Sequence, residues 1–316
     1  MDLKQLEYFV QIADLGSFTR AASVLQVAQP ALSRQVRALE VELRQPLFDR
    51  NGRGVTLTEA GQRLLAHSRG ILQQVERARQ DLEDQRGAAT GLVSVGLPPS
   101  VSRTLTAPLV EAFRDRFPRA TLSMVEGLST YTLEWLQQGR VDCAVVYNAV
   151  PGAPIELLPV LDEQLFLVSA RGKGRTLMGK PVTLEAVARH ELVIPSRPHA
   201  IRMRLETAMA EQGLKPRVGL EIESVPAMLD LAQRLPLHAV LSLNALRGSG
   251  LESVLMAQAI HTQPGGGAAA GALATSLWIA TSALRPRGPL LEQTVRLLTE
   301  LLHAKLGPIG LRKPTP

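Results

Sequence analysis

Four side chains able to read a base edge or a phosphate fall within nine residues of one another. They are Gln29, Ser33, Arg34 and Arg37, in the run Gln29-Pro30-Ala31-Leu32-Ser33-Arg34-Gln35-Val36-Arg37. Gln and Ser hydrogen-bond base edges or phosphates, and an arginine fork matches guanine with two parallel bonds. A second pair of guanidinium groups, Arg50 and Arg53, flanks Asn51-Gly52, a dipeptide that favours a tight hairpin turn. At a hairpin tip such charges reach a phosphate backbone or a minor groove.

Other chemistries find little support. The histidines (His67, His190, His199, His238, His261, His303) have no metal-ligand spacing and no partnering cysteines. Cys143 is the only cysteine and sits in the apolar run 141–147, where it reads as core and not as a nucleophile. No Gly-x-Ser-x-Gly elbow, phosphate-binding Gly-Lys-Ser/Thr loop or dinucleotide Gly-x-Gly-x-x-Gly follows a strand. No catalytic site, metal or cofactor is therefore expected. Aromatic residues make up only 3%, which argues against a stacking surface for single-stranded nucleic acid.

The elements that must position the first group are legible from periodicity. Leu3, Leu6, Val10 and Ala13, with Phe9 beside them, mark one face of a helix from Asp2 to Asp14. Gly16 ends it, and Ser17 caps a second helix through Thr19, Ala21, Ala22 and Leu25. The small Ala21 and Ala22 allow another helix close. Pro30 suits the first turn of a third helix, whose apolar face is Leu32, Val36, Leu39 and Leu43. Two short helices joined by a tight turn, the second opening with Gln, Ser and Arg, describe a helix-turn-helix whose second helix enters the major groove N-terminus first. A plain three-helix core with solvated arginines accounts for Arg37 and Arg44, but not for polar residues clustered at one helix start. The segment 46–58 then reads as strand, turn, strand: a wing.

Thr58 can cap a long helix carrying Leu57, Gly61, Leu64, Ser68, Ile71, Val75, Ala78 and Leu82 at alternating steps of four and three. About 29 residues of helix span about 43 Å, long and one-sided enough to pair with a second copy through Leu64, Ile71, Val75 and Leu82. Packing on the chain's own second domain is the alternative. Residues 85–91 contain two glycines and read as a hinge.

The whole chain has 316 residues, 45% hydrophobic and 20% charged, with a formal net charge of +6. That length suits about two domains, and the charge suits an anionic partner. No signal peptide and no apolar run of membrane-spanning length is visible, so a cytoplasmic protein with no membrane partner is expected. Beyond the hinge, strand-like and helical runs alternate: 92–96, 105–117, 120–125, 128–138, 141–147, 165–169, 183–189, 192–195, 200–212 and 218–223. This pattern predicts an α/β domain with mainly parallel strands. Ligands of such sheets bind outside the carboxyl ends of strands.

Three runs closely resemble LysR-type transcriptional regulators. They are Ser17-Phe18-Thr19-Arg20-Ala21-Ala22, then Gln29 to Glu40, then the wing with Pro46, Leu47, Phe48, Arg50, Arg53, Leu57, Thr58, Glu59, Ala60 and Gly61. The likeness is near-continuous from Leu3 to Gly61. It implies a helix-turn-helix over Phe18 to Arg37 and DNA contacts at Gln29, Pro30, Ser33, Arg34 and Arg53. A looser likeness over most of 92–302 implies a two-lobed, periplasmic-binding-protein-like sensor domain that the chain crosses twice. Lobe I would cover 92–161 and 273–302, lobe II 162–272, with an effector between them. The expected organisation is a winged domain at 1–58, a linker helix and hinge at 59–91, an effector-binding domain at 92–305 and a tail at 306–316.

On that layout, hydroxyl-bearing strand ends become candidate effector contacts: Ser100 and Ser102, Ser129 and Thr130, and Ser196, with Arg197 and Arg202 available to an anionic ligand. Each end, Glu223-Ser224-Val225-Pro226 included, is singly also an ordinary helix N-cap. The pieces Gly-Leu-Pro-Pro-Ser, Glu-Gly-Leu-Ser and Ile-Pro-Ser-Arg-Pro-His most resemble the nitrogen-assimilation-control-like branch. Two departures lie in lobe II: Arg234-Leu235-Pro236-Leu237-His238 stands where family members often carry a Gly-rich turn, and 264–271 is unusually rich in glycine and alanine. The expected function is a dimeric or tetrameric regulator binding duplex DNA and RNA polymerase, with a small molecule shifting lobe closure. An effector-independent, oligomer-controlled regulator and a ligand-binding protein without DNA contacts are the rivals.

Overall fold

A computed structural model describes residues 1–51, 54–83, 91–149, 152, 154–172, 177–247, 249–262, 271–285 and 287–307. The chain divides into two compact units, one formed by Met1–Gly91 with Gln137–Arg140, the other by Leu92–Leu136 and the chain from Val141 onward.

The first unit opens with α1 (Leu3–Leu15), α2 (Phe18–Val24) and α3 (Gln29–Leu43). Asp2 and Gln5 cap α1 reciprocally, and Gly16 ends it in the left-handed conformation with φ +60°. Ser17 caps α2 by accepting from the Arg20 amide. A hairpin of β1 (Phe48–Asn51) and β2 (Gly54–Leu57) follows, in the register Phe48 opposite Leu57. Phe48 carries the hairpin onto the helices, its ring 5.2 Å from Phe9 and 5.7 Å from Phe18 between centroids. Together with Ile12, Ala21, Ala22, Leu32, Val36 and Leu39 these residues form one buried core. The long helix α4 spans 25 described residues, Glu59–Glu83; the stretch expected to end it and form the hinge, 84–90, lies outside the described residues. Its first turns pack on the winged core through Ala60, Leu64 and Leu65, so this helix and the winged domain share one unit.

In the second unit the order is β3 (Gly91–Leu97), α5 (Pro99–Arg116), β4 (Ala120–Glu126), α6 (Ser129–Gln137), β5 (Cys143–Tyr147) and β6 (Ile155–Ala170). Then come β7 (Val182–Thr183), α7 (Leu184–Ala188), β8 (Glu191–Ile194), α8 (Ala200–Ala210), β9 (Arg217–Glu221), α9 (Val225–Arg234) and β10 (His238–Ser242). The chain closes with α10 (Leu243–Leu246), β11 (Leu255–His261), β12 (Ala274–Ser282) and α11 (Pro289–Leu306). The strand order is β4-β3-β5-β12-β6-β10-β8-β9, with β11 on β6 and β7 on β11.

Two lobes share the two long strands. Residues 155–164 of β6 pair with β12, whereas 165–170 pair with β10 and β11. The ladder thus changes partner between Gln164 and Leu165, and the chain returns at Leu273–Ala274. The expectation of mainly parallel strands needs correction. Strands β3 with β5, β8 with β9 and β10, and β7 with β11 are parallel, but every pair made by β6, and that of β12 with β5, is antiparallel. A chain that leaves one lobe and comes back along the same seam must run its two crossing strands in opposite directions. Each lobe buries its own apolar core, one around Leu165, Val193, Leu205 and Val240, the other around Leu136, Val141, Val146 and Ala280.

Candidate DNA interface and interlobe site

The side of α3 facing the core carries Leu32, Val36 and Leu39, all fully buried. A helix with that stripe inward must turn Gln29, Pro30, Arg34 and Arg37 outward, and all four are exposed, with Ser33 half-buried beside them. Pro30 sits in the first turn and Ala28 offers no side-chain cap, so the helix begins without internal competition for its first amides. The turn leading to it holds Gln26 at φ +54°, with the Val27 amide returning to the Ala22 carbonyl at 3.0 Å.

A corner fixes the wing against α3. The Glu40 carboxylate accepts from the Leu47 amide at 2.8 Å and the Phe48 amide at 3.3 Å. Thr58 donates its hydroxyl to the Pro46 carbonyl at 2.7 Å and accepts from the Gly61 amide at 3.0 Å, capping α4. Gly61 lies so close to the wing that a Cβ there would collide with the Leu47 carbonyl oxygen. The backbone of Arg50 lies in β1, paired with Val55, but its side chain and the whole of Arg53 fall outside the described residues.

Of the expected dimer seam, Ile71 is exposed and Val75 half-buried. Leu64 instead packs partly against the winged core, because the first turns of α4 lie on α1. An ion pair of Arg69 with Asp14 joins the same two helices. The side chain of Leu82 is outside the described residues.

In lobe I the structure brings Ser100 and Ser129 to one residue that periodicity alone does not single out, Tyr147 at the end of β5. The Ser100 hydroxyl lies 3.2 Å from the Tyr147 hydroxyl, and Ser129 accepts from the Tyr147 amide at 2.9 Å. Tyr147 donates to the Glu163 carboxylate at 2.7 Å. Asn244 of α10 donates to the other Glu163 oxygen, and Arg247 donates to the Asn244 carbonyl oxygen at 3.2 Å. Glu163 is 4% exposed. Burial drives its carboxyl above the usual range, and bonds from Asn244, Tyr147 and Ser242 with the Arg247 charge pull only part of the way back. Burial, then the neighbouring Glu163, pushes the Tyr147 phenol well above its ordinary value. Ser102 bonds Thr106 one turn along α5 at 3.2 Å, and Thr130 is exposed.

The lobe II candidates form a separate group. Ser196 is half-buried and Arg197 exposed, its Nε 2.9 Å from Glu206. Arg202 is buried, ion-paired to Glu206, with Nη1 3.2 Å from Glu221 and 3.3 Å from the Pro195 carbonyl. Its charge is thus compensated within the protein by two carboxylates. Burial pushes Glu206 up, but the two arginines hold it below the usual range. The partner Glu206 lies inside α8, out of reach of a reading confined to strand ends, whereas Glu221 is the last residue of β9. A signal for Glu163 does exist: it lies in Asp162-Glu163-Gln164, a polar interruption between the apolar stretches 157–161 and 165–168.

Among the described residues no group of three or more His, Cys, Asp or Glu could hold a metal, and no helix is long and apolar enough to cross a membrane. A winged helix-turn-helix ahead of a two-lobed α/β domain defines a class, the DNA-binding transcription regulators that carry an effector-binding domain.

Comparison with known proteins narrows the class to one family. Residues 3–62 match the bacterial regulatory helix-turn-helix protein, lysR family, and residues 86–303 match the LysR substrate binding domain. The chain belongs to the LysR family. It is similar to the nitrogen assimilation regulatory protein of Escherichia coli K12, 39% identical over 72% of this chain and 74% of that one. The Klebsiella aerogenes protein of the same name is 40% identical over the same shares. These identities support the nitrogen-assimilation-control-like branch, and the relatives are regulators, not enzymes. Among solved structures, CbnR complexed with its target DNA has a TM-score of 0.69 at 22% identity, covering 95% of this chain and 100% of that one. A full-length OxyR variant of Pseudomonas aeruginosa also scores 0.69, at 19% identity, covering 100% and 99%. Both share the fold.

Proposed function

We propose that α3 reads the major groove of an operator through Gln29, Pro30, Ser33 and Arg34, with Arg37 on the backbone and the wing arginines Arg50 and Arg53 against phosphates or the minor groove. The exposed polar and cationic face of α3, opposite a fully buried apolar stripe, carries this reading. The chain works in the cytoplasm as a dimer or tetramer, with α4 contributing Ile71, Val75 and Leu82 to the pairing, and it acts on RNA polymerase at promoters of nitrogen metabolism. A small molecule held between the lobes near Ser100, Ser129 and Ser196 biases the lobe arrangement and hence the seating of the oligomer on DNA.

Arg34→Ala tests the groove assignment. A bidentate base contact is worth about 1–3 kcal/mol, so operator affinity should fall by roughly 5- to 150-fold in a fluorescence anisotropy titration at fixed salt. Unchanged affinity in a folded variant refutes the placement of α3. For the sensor half, thermal shift against small acids, aromatic acids and nitrogen metabolites should find a compound whose stabilisation grows with the logarithm of its concentration. A second reading has its own support. Arg197 is ion-paired to Glu206 and Arg202 to Glu206 and Glu221, and Ser100 and Ser129 are bonded to Tyr147. A domain so internally satisfied also suits a regulator controlled by oligomerisation alone.

A further inference from the structure

Glu163 stands one residue before the point at which β6 leaves the lobe I ladder, still paired with Thr275 of β12. Its two oxygens face different lobes. One accepts from Tyr147, the last residue of β5 in lobe I, at 2.7 Å. The other accepts from Asn244 in α10, directly after the lobe II strand β10, whose Ser242 side chain also bonds the carboxyl group. Ser100 at the start of α5 extends the chain on one side, and Arg247 holds Asn244 on the other. Five side chains therefore run without a break from lobe I to lobe II, through an acid that is almost fully buried.

An acid in that position costs free energy unless each oxygen meets a donor. Here the donors come from opposite sides of the crossing, so the compensation is complete only while the lobes keep their present separation. Moving lobe II by a fraction of a turn about the crossing withdraws Asn244 and leaves a buried oxygen bare. The same movement retains Tyr147, which belongs to the same lobe I sheet as the first part of β6. A single group thus stabilises one lobe arrangement over others, without which the crossing strands alone would hold the angle.

We propose that Glu163 is an interlobe clasp, an internal acid that closes the effector-binding domain by joining Tyr147 of lobe I to Asn244 of lobe II. The proposal concerns the regulation of the site assigned above and rests on that assignment. A bound effector then acts by favouring or opposing this contact. Tyr147 and Asn244 are its positioning residues, and Glu163 is the element through which their effects pass.

The test is a distance between lobes read in the full chain. Gln293→Cys on α11 and Lys215→Cys between α8 and β9 place labels at exposed positions on lobes I and II, while the native Cys143 is fully buried. Labelled chains are diluted into unlabelled protein so that only distances within one chain are read, by double electron–electron resonance. The otherwise unaltered chain should give one narrow distribution. Glu163→Ala and Asn244→Ala should each broaden it or add a second population, and Asn244→Ala should add nothing in the Glu163→Ala background. A distribution unchanged by Glu163→Ala overturns the clasp, as does an independent, additive effect of Asn244→Ala. Should Glu163→Ala not fold, Asn244→Ala with Tyr147→Phe reads the same contact from both ends, and unchanged distances in both overturn it. The measurement needs neither DNA nor a ligand, so its failure leaves the DNA-binding and effector readings standing, and their failure leaves this result interpretable.

Discussion

His199 offers a pH-dependent test of the loop that carries Ser196 and Arg197. Its Nδ1 accepts from the Ile201 amide at 3.2 Å and so caps α8, and burial lowers its pKa from 6.5 to about 4. A protonated Nδ1 cannot accept that bond. In the unfolded chain the imidazole titrates near its ordinary value of about 6.5. Between about pH 6.5 and 4 the folded state therefore binds fewer protons than the unfolded one, so stability falls with the pH. The group's contribution is fully present above about pH 6.5 and is lost as pH drops through that window. At about 1.4 kcal/mol per pKa unit the whole gap is worth roughly 3 kcal/mol, of which roughly 2 is gone by about pH 5. His199→Asn keeps a capping side chain and removes the titration. Urea unfolding at about pH 7.5 and pH 5, with amide exchange at Ile201 as a local probe, should show the native protein losing roughly 2 kcal/mol more than the variant. Parallel losses in the two proteins would refute a neutral, buried cap.

Two further perturbations probe the other sites. Glu163→Gln should flatten a pH dependence of opposite sign. Burial raises the Glu163 pKa, with Tyr147 and Arg247 the titratable groups facing it; its contribution to stability is present below the ordinary carboxyl value and lost as pH rises through the raised one. Thermal unfolding of the variant relative to the native chain should therefore improve between about pH 4 and pH 8, and a constant difference contradicts the assigned burial. Gly61→Ala should destabilise the winged unit by about 1–3 kcal/mol, since its Cβ would collide with the Leu47 carbonyl oxygen, a backbone atom that cannot swing aside. An unchanged melting temperature rules out that close approach.

Local rules make the winged unit legible. Gly16, Ser17, Pro30 and Thr58 act on the backbone within a few residues of themselves, so their types alone place the end of α1 and the starts of α2, α3 and α4. Periodicity places the start of α5 too late, at Leu105, because Pro99 and Ser100 open the helix ahead of its first periodic apolar residues. Strand β6 is legible only from Leu165 onward. Its opening residues 155–158 alternate half-buried and exposed, Pro159 breaks the alternation, and the stretch depends on β12 for its structure. The interlobe network is illegible for the same reason. Tyr147, Glu163 and Asn244 are far apart in the chain, and only the twofold crossing brings them together. Arg202 shows the limit from the other side: its type suggests an anion partner, but two acids of its own lobe reach it first.

The residues that carry the N-terminal family resemblance are of two physical kinds. Gln29, Pro30, Arg34 and Arg37 are exposed and make the outer face of α3, so their types are free of any packing demand. Glu40, Leu47, Phe48, Thr58 and Gly61 make no outward face at all. They tie the end of α3, the start of the wing and the first turn of α4 into one corner through hydrogen bonds to three backbone amides and one carbonyl. A protein that reads DNA with a helix and a wing at once needs a fixed angle between them, because a groove contact and a phosphate contact must be met together. On the reading proposed for α3 and the wing, the corner sets that angle from outside the DNA interface. Loss of the Glu40 acceptor would leave two buried amides seeking partners and loosen the wing, weakening DNA binding from a residue outside the interface. On that reading the near-continuous match over the first sixty residues is one device, in which the outer face of α3 and the corner that aims it are required together.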